Sequence, residues 1–446
     1  MSYESAIDQL SAMAPELHTQ AGQARRKFSL DEIGTLLSAL GDPHRRLKSV
    51  LIAGTNGKGS TAATLASILQ ESGVRTGLYT SPHLVRPNER IRLNGTEIGD
   101  DAFAAAYFRV HGAAEELVRT GRQAQLPSFF ETLTAMAFVY FAEAGVELAV
   151  LEVGMGGRLD ATNIVDPLIS VITDISLDHT EWLGSTIAAI AREKAGILRR
   201  NGTLVTLPQH PEANHALGEV AVELGVRGVS ASAYMPPIGA SGEAAYRVEV
   251  MGEPVEVASP LHGAHQHRNV ALAIAAAVEL AEHHGVAITP AAIGAGIRGT
   301  RWPGRLEHIA SGGVDWVLDV AHNPAGAWAL RAGLRELLSE ARPRTLIFSC
   351  LRDKPAAEMA QILFPLFEVV IFAPIHSARA TPMADLMAAA EGTGVPAVET
   401  ATVAEALETA RARSAGVVVV SGSVYLVGEA RSLLLAQTAL PVGAQP

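Results

Sequence analysis

The sequence predicts an α/β protein of two domains. The first, over residues 1–300, is a doubly wound sheet carrying a phosphate loop, and the second, over 301–446, is a Rossmann-like α/β domain. Three observations carry this. VLIAGTNGKGS at 50–60 passes from an apolar run through glycines around one lysine into a helical pattern, which reads as strand, tight loop and helix start. Short apolar runs then alternate with helical stretches, as parallel strands joined by crossover helices require. After GTRWPGR at 299–305, a segment dense in Gly, Pro and Arg, the alternation begins again without a second phosphate loop.

Composition bounds the function classes. The chain has 446 residues, 48% hydrophobic and 18% charged, the profile of an ordinary globular protein. Its formal charge is −11, from 35 basic and 46 acidic residues, with no strong Lys/Arg run. Nucleic acid and anionic membranes are therefore disfavoured as main partners, and an anionic ligand has to be met by a local positive site. The single cysteine, Cys350, cannot form an intrachain disulfide, and MSYESAIDQLSAM lacks a basic region followed by an apolar core. No apolar segment approaches the roughly 18 residues of a membrane span. A cytoplasmic monomer is the expectation.

Taken in order, SLDE at 29–32 has the spacing of a capping box and opens a helix through Leu36, Leu37 and Leu40, stopped by Gly41 and Pro43. After the loop, Leu65, Ile68 and Leu69 recur at helical spacing as far as Gly73, and TGLYT at 76–80 reads as a strand ending at Ser81. Residues 100–120 and 128–144 read as helices, opened by Asp100 and by Ser128 with Glu131. Between them GRQAQLP, 121–127, is a mostly polar connection able to border a ligand. LAVL at 148–151 and LISVI at 168–172 are buried strands ending at Glu152 and at Thr173–Asp174. A helix at 185–198, a Gly/Pro/Ala-rich region at 225–245, a hairpin from YRVEV and VEV around Gly252, and a long alanine-rich helix near 264–284 complete the first domain. Strands WVL at 316–318, LIF at 346–348, VVIF at 369–372 and VVVV at 417–420 build the second, with helices running to Leu338 and Leu363.

Ligands of such sheets bind beyond the carboxyl ends of the strands, where Gly54, Ser81, Glu152 and Asp174 all fall. Gly54, Thr55, Asn56, Gly57, Lys58, Gly59 and Ser60 form the loop, whose backbone N–H groups and lysine suit a polyphosphate. The general pattern G-x-x-x-x-G-K-[ST] is not met strictly, because Ile52 stands at the first glycine and Gly59 replaces the hydroxyl after the lysine. That hydroxyl ordinarily holds Mg²⁺, so a metal needs ligands elsewhere. Glu152 at its strand end is one candidate and Ser81 another; a solvated strand-end carboxylate is the plainer reading of Glu152. His179, in DISLDH, could bind a second cation or serve as a structural hydrogen-bonding group. Lys194 reads as a surface lysine near a helix end. In HGAHQHRN at 262–269 the spacing matches no zinc pattern, and Gln266 and Asn269 face the cleft. Arg305 at the boundary can reach a phosphate from either domain. Asp319 and His322, in LDVAHNP, sit at a strand end before a helix, where either ligand binding or local turn chemistry accounts for them.

Together GTNGKGS, SPHL at 81–84, LEVGMGGRLDATN at 151–163, DHTEWLG at 178–184, REKAGI at 192–197, GAHQHRN, WPGR at 302–305, DVAHNP and SGSVYLVGE at 421–429 resemble, in one order over nearly the whole chain, the folylpolyglutamate synthase and dihydrofolate synthase family of the Mur ligase superfamily. The resemblance implies ATP-dependent amide formation between a pterin carboxylate and L-glutamate through an acyl phosphate. It implies dihydropteroate, reduced folates or both as substrates, and Mg²⁺, two ions, near Ser81, Glu152 and His179. It implies carbamylation of Lys194, nucleotide contacts from Asn269 and Arg305, an active-site pair in Asp319 and His322, and contact of Ser421, with Ser423 as the alternative, with the incoming glutamate. A peptidoglycan-type Mur ligase would share the loop, but SPHL and DVAHNP are of the folate type. A nucleotide-dependent switch is the reading from another class, and the guanine-reading N-K-x-D is absent.

Overall fold

The computed structural model describes residues 2–13, 29–237, 245–337, 344–413 and 416–439. Two sheets organise it. The first has eight strands: β1 (Lys48–Ala53), β2 (Thr76–Tyr79), β3 (Ile91–Leu93), β4 (Thr96–Glu97), β5 (Leu148–Glu152), β6 (Ile169–Ile172), β7 (Thr203–Thr206) and β8 (Arg227–Ser230), in the order β4-β3-β2-β5-β1-β6-β7-β8. From β2 to β8 the neighbours pair in parallel, and β3 and β4 extend one edge antiparallel. β1 lies at the centre between β5 and β6, so the loop that follows it opens where the connections diverge to the two sides of the sheet.

β5 and β6 are buried along their whole length and β1 at every position but Lys48, which explains their continuous apolar runs. One face is covered by the helices Asp100–Arg119 and Phe129–Glu143, through Phe103, Tyr107, Phe138 and Phe141. The other is covered by Lys58–Glu71 and Ala264–His284. The hairpin β9 (Tyr246–Val250) and β10 (Glu253–Val257) turns through Met251 and Gly252, both at positive φ, and packs its valines into this second face. A helix at Pro290–Gly299 presses Gly296 against Ile68, clamping the helix that starts in the phosphate loop.

The second sheet contains β11 (Glu307–Ser311), β12 (Val314–Asp319), β13 (Arg344–Phe348), β14 (Val369–Phe372), β15 (Ala397–Glu399) and β16 (Val417–Ser421), ordered β11-β12-β16-β13-β14-β15. All neighbours are parallel except β11 with β12. The expected α/β class and both sheets are present. Strands absent from the sequence reading are β3, β4, β7, β8, β11 and β15. They are short or at the margins, and their exposed or alternating residues leave no apolar run to read.

Several local expectations shift. Asp100 opens its helix from the first turn, with Gly99 as the cap. Ser29 caps through Asp31 N–H rather than through a box with Glu32, whereas Ser128 and Glu131 do form a capping box. The helix expected at 185–198 is Ile187–Ala195, because Thr186 caps it and a tighter turn follows. The helix expected to reach Leu338 is described to Leu337, and Leu338 and residues 238–244 of the Gly/Pro/Ala-rich stretch lie outside the described residues.

Candidate active site

The phosphate loop is braced by hydrogen bonds from the protein itself. Thr55 and Asn56 N–H donate to the Asp174 carbonyl at 2.8 and 3.2 Å, and Thr173 Oγ1 donates to Asn56 O at 2.7 Å. Gly57, with φ 87°, turns the chain into the helix that begins at Lys58. Asn269 lies directly against Gly57, since a Cβ there would stand 2.1 Å from Asn269 Oδ1. The first-turn amides of that helix and Lys58 thus face one cavity of about 360 Å³, lined also by Ser81, Glu152, His179, Lys194, Gln266, Arg305, Asp319 and His322.

Glu152, at the end of β5, is 4% exposed and accepts a hydrogen bond from Ser81 N–H at 3.1 Å. Burial pushes its carboxyl above the ordinary range, opposed by Lys58, the Ser81 amide, Arg305 and Arg90. Lys194 is not a surface lysine. It is 4% exposed and donates to Gly54 O at 2.8 Å. Burial, reinforced by Lys58, brings its pKa down to about 7, so its amine is neutral in a large fraction of molecules near neutral pH. His179 occupies the left-handed region at φ 48°, and burial lowers its pKa to about 4.

Among the described residues no three His, Cys, Asp or Glu side chains form a self-sufficient metal cage. What is present is a buried carboxylate beside a serine and a phosphate cradle. That donor set suits a cation completing its shell with nucleotide oxygens and water, the habit of Mg²⁺.

The second sheet supplies the opposite wall. Asp319 ends β12 with both oxygens engaged by backbone, accepting from Leu306 N–H and Ala321 N–H at 2.9 Å each. Burial raises its pKa, and Arg305 and His265 oppose the rise. His322 Nδ1 lies 2.8 Å from Val320 O, which leaves Nε2 facing Asp178 at 3.9 Å. Ser421 departs from expectation. It sits in β16 at 0% exposure, paired with Asp319 and Phe348, and is not among the residues lining either cavity. The residues that reach the space are Gly422 and Ser423, one and two positions further on, because the strand has ended there.

A second cavity, of about 390 Å³, adjoins the first and shares Ser81, Pro82, Met155, His179 and His322 with it. Phe129, Phe130, Met155, Trp182 and Leu183 give it an apolar body, and Lys354, Arg379 and Ser423 a polar end. The 121–127 connection is not among its lining residues; the adjoining 128–131 segment is. Arg90 points into the shared wall, donating to Ser81 Oγ at 3.1 Å and His83 Nδ1 at 2.9 Å.

Sequence reasoning did not single out Arg90, Asp178, Asn323 or Lys354. Asp178 and Lys354 follow β6 and β13, so the strand-end rule that found Glu152 applies to them as well. They meet at 2.6 Å with side chains 9% and 5% exposed. Burial opposes the charge of Asp178, but His179, Lys354 and His322 together hold it well below the usual carboxylate range.

Comparison with known proteins gives this geometry a family. The Mur ligase middle domain matches residues 52–277, and the Mur ligase glutamate ligase domain matches 304–424. The chain is 39% identical over 415 residues to a probable bifunctional folylpolyglutamate synthase/dihydropteroate synthase of Haloferax volcanii, covering 91% of this chain but only 48% of that longer one. To the dihydrofolate synthase/folylpolyglutamate synthase of Bacillus subtilis it is 33% identical over 414 residues, covering 92% of this chain and 95% of that one. The structure of Mycobacterium tuberculosis folylpolyglutamate synthase complexed with ADP superposes with a TM-score of 0.86 at 32% identity, covering 100% of this chain and 99% of that one. The chain therefore belongs to the Mur ligase family, in its branch of folylpolyglutamate and dihydrofolate synthases.

Proposed function

We propose that this chain is an ATP-dependent ligase that adds L-glutamate both to dihydropteroate and to the γ-carboxyl of reduced folates, by way of an acyl phosphate. The observation that carries the reading is the contact of two cavities across one wall. A phosphate cradle with Lys58 lies on one side and an aromatic cavity ending in Lys354, Arg379 and Ser423 on the other. A planar pterin fits the Phe129, Phe130 and Trp182 end, with its carboxylate reaching the shared wall near Ser81 and Arg90. The carboxylate oxygen attacks the γ-phosphorus, ADP departs, and the α-amine of glutamate displaces phosphate. Meeting of carboxylate and triphosphate is a meeting of anions, and Lys58, Arg90 and Arg305, all close enough to act on Glu152, offset it. His322, with Nε2 free of its Val320 contact, is placed to take a proton from the incoming ammonium.

Mg²⁺ would be held by Ser81, Glu152 and His179, with Lys194 joining them as a carbamate. When bound, it neutralises charge developing on the phosphates. The neutral amine of Lys194 is the form that takes up CO₂, and its burial supports that assignment. Asn269 and Gln266 border the nucleotide, and the glutamate falls to Ser423 rather than Ser421.

Two assays test the reading: ADP release with dihydropteroate and with a tetrahydrofolate, each with and without L-glutamate. Glutamate-dependent ADP release with both acids is expected. Release with only one reduces the enzyme to a single activity, and none with either overturns the proposal.

A further inference from the structure

Asn323 stands directly before the helix Pro324–Leu337, and part of its work is to cap it. Its Oδ1 accepts from Gly326 N–H at 2.8 Å, capping the helix Pro324–Leu337. This contact fixes which end of the carboxamide is oxygen, and so directs both N–H bonds outward. Asn323 Nδ2 donates to Asn56 Oδ1 of the phosphate loop at 3.1 Å and to Asp178 Oδ2 at 3.1 Å. Asn56 answers with its own Nδ2, 3.4 Å from Asn323 Oδ1 and 3.3 Å from Ser176 Oγ. The carboxamide is buried, with 1% of the residue exposed, and its two donors are both spent across the gap between the two sheets.

The neighbouring cross-domain contact is the ion pair of Lys354 with Asp178 at 2.6 Å. Asp178 thus receives one neutral and one charged donor from the second sheet, and the phosphate loop receives its contact from Asn323 through Asn56. Resting on the ligase reading above, we propose that Asn323 is a positioning residue that locks the second domain onto the phosphate loop in the closed state, so that the acyl phosphate forms only in a sealed site. It touches neither nucleotide nor acid; it acts through Asn56 and Asp178.

The consequence is specific. Transfer of the γ-phosphoryl group to the carboxylate gives ADP and an acyl phosphate. If the domains are not held together, water attacks that intermediate, restoring the carboxylate and releasing phosphate, and ATP is consumed without amide. A carboxylate at 323 keeps an acceptor for Gly326 N–H, and Asp caps helices as well as Asn. It removes both donors, however, and sets an anion against Asp178.

The test is the ratio of ADP released to amide formed. For the wild type a ratio near one is expected, and its failure to form amide at all overturns the ligase reading rather than this one. Asn323→Asp is expected to lower kcat by about tenfold or more, to leave KM for ATP within about threefold, and to raise the ratio to about two or above. N323D/D178N exchanges donor and acceptor at the 3.1 Å contact without changing the charge count, and is expected to bring the ratio back toward one. A ratio that stays at one in N323D, whatever its kcat or melting temperature, overturns the proposal, as does a double variant that leaks as much as N323D. Should N323D not fold, Asn56→Ala removes the loop's half of the contact while sparing the cap. The same rise in ratio is expected there, and an unchanged ratio overturns the proposal.

Discussion

Gly428→Ala separates packing within the second domain from contact between domains, because the two predict opposite signs. Gly428 lies inside the helix Val424–Ala439, where alanine is favoured over glycine by about 1 kcal/mol. A methyl group at 428, however, would stand 2.0 Å from the carbonyl oxygen of Leu84 and 2.7 Å from its carbonyl carbon. These are backbone atoms of the SPHL segment on the first domain, so no side chain can swing aside. Relief requires the helix and the segment to separate by roughly 1 Å, and misplacement of that size costs about 10²-fold in rate when it spreads to the reacting groups. Ser423 and Val424, at the start of the same region, line the aromatic cavity, so the displacement is transmitted there. The expected outcome is a loss of kcat of about 10²-fold, some 2.7 kcal/mol of barrier, with ADP affinity at the phosphate loop retained. ADP release kinetics, nucleotide titration and a thermal melt measure the three quantities. A variant that melts higher than wild type and turns over within about twofold of it would show the close approach to be without consequence.

Other perturbations address the first domain. Lys58→Ala should abolish glutamate-dependent ADP release while the thermal melt stays within a few degrees, because the hydrogen bond Lys58 makes among the described residues is a 3.2 Å contact to the nearby Thr55 O; ordinary turnover counts against the loop assignment. Lys194→Ala should lose turnover and regain part of it with added short carboxylic acids, which stand in for a carbamate; a fully active variant, or one beyond rescue, removes the carbamate. The acid side of the stability profile should depend on His83. Burial, aided by Arg90, lowers its pKa to about 3, and its Nδ1 must stay unprotonated to accept from Arg90 Nε. Between roughly pH 6.5 and 3 the unfolded chain binds a proton that the folded chain refuses, so stability falls as the pH is lowered, by at most about 1.4 kcal/mol per unit. Denaturant unfolding at pH 7 and pH 5 should give a smaller difference in His83→Gln than in wild type; equal differences refute the assignment.

The parts of the fold legible in the sequence are those whose causes are local. β1, β5 and β6 announce themselves because both faces are buried over runs that are mostly apolar, and the phosphate loop because its glycines, lysine and helix start are contiguous. Ser81 and Glu152 follow from the rule that ligands gather at strand ends. Lys194 shows the limit of local reasoning. Its neighbours Arg192 and Glu193 pair with Glu219 and Arg158 near the surface, and only the tertiary path of the helix carries position 194 inward to Gly54. Ser421 shows a finer limit, since a strand end two residues earlier or later exchanges a buried sheet position for a cavity wall.

Gly59 unites both kinds of cause. In the sequence it is a departure, a missing hydroxyl that leaves the loop short of a metal ligand. In the structure a Cβ at 59 would stand 2.8 Å from Trp302 Cζ2, and the Arg92 guanidinium lies over the same indole at 5.3 Å from the ring centroid. Trp302 belongs to the segment joining the two sheets. The glycine is therefore required not by the phosphate loop alone but by a linker that crosses it, and the same choice that removes the hydroxyl lets the joint between the domains rest on the nucleotide cradle. A serine at 59 would restore the hydroxyl after the lysine at the expense of that contact, so the loop's departure at this position and the linker that crosses it are one feature of this chain.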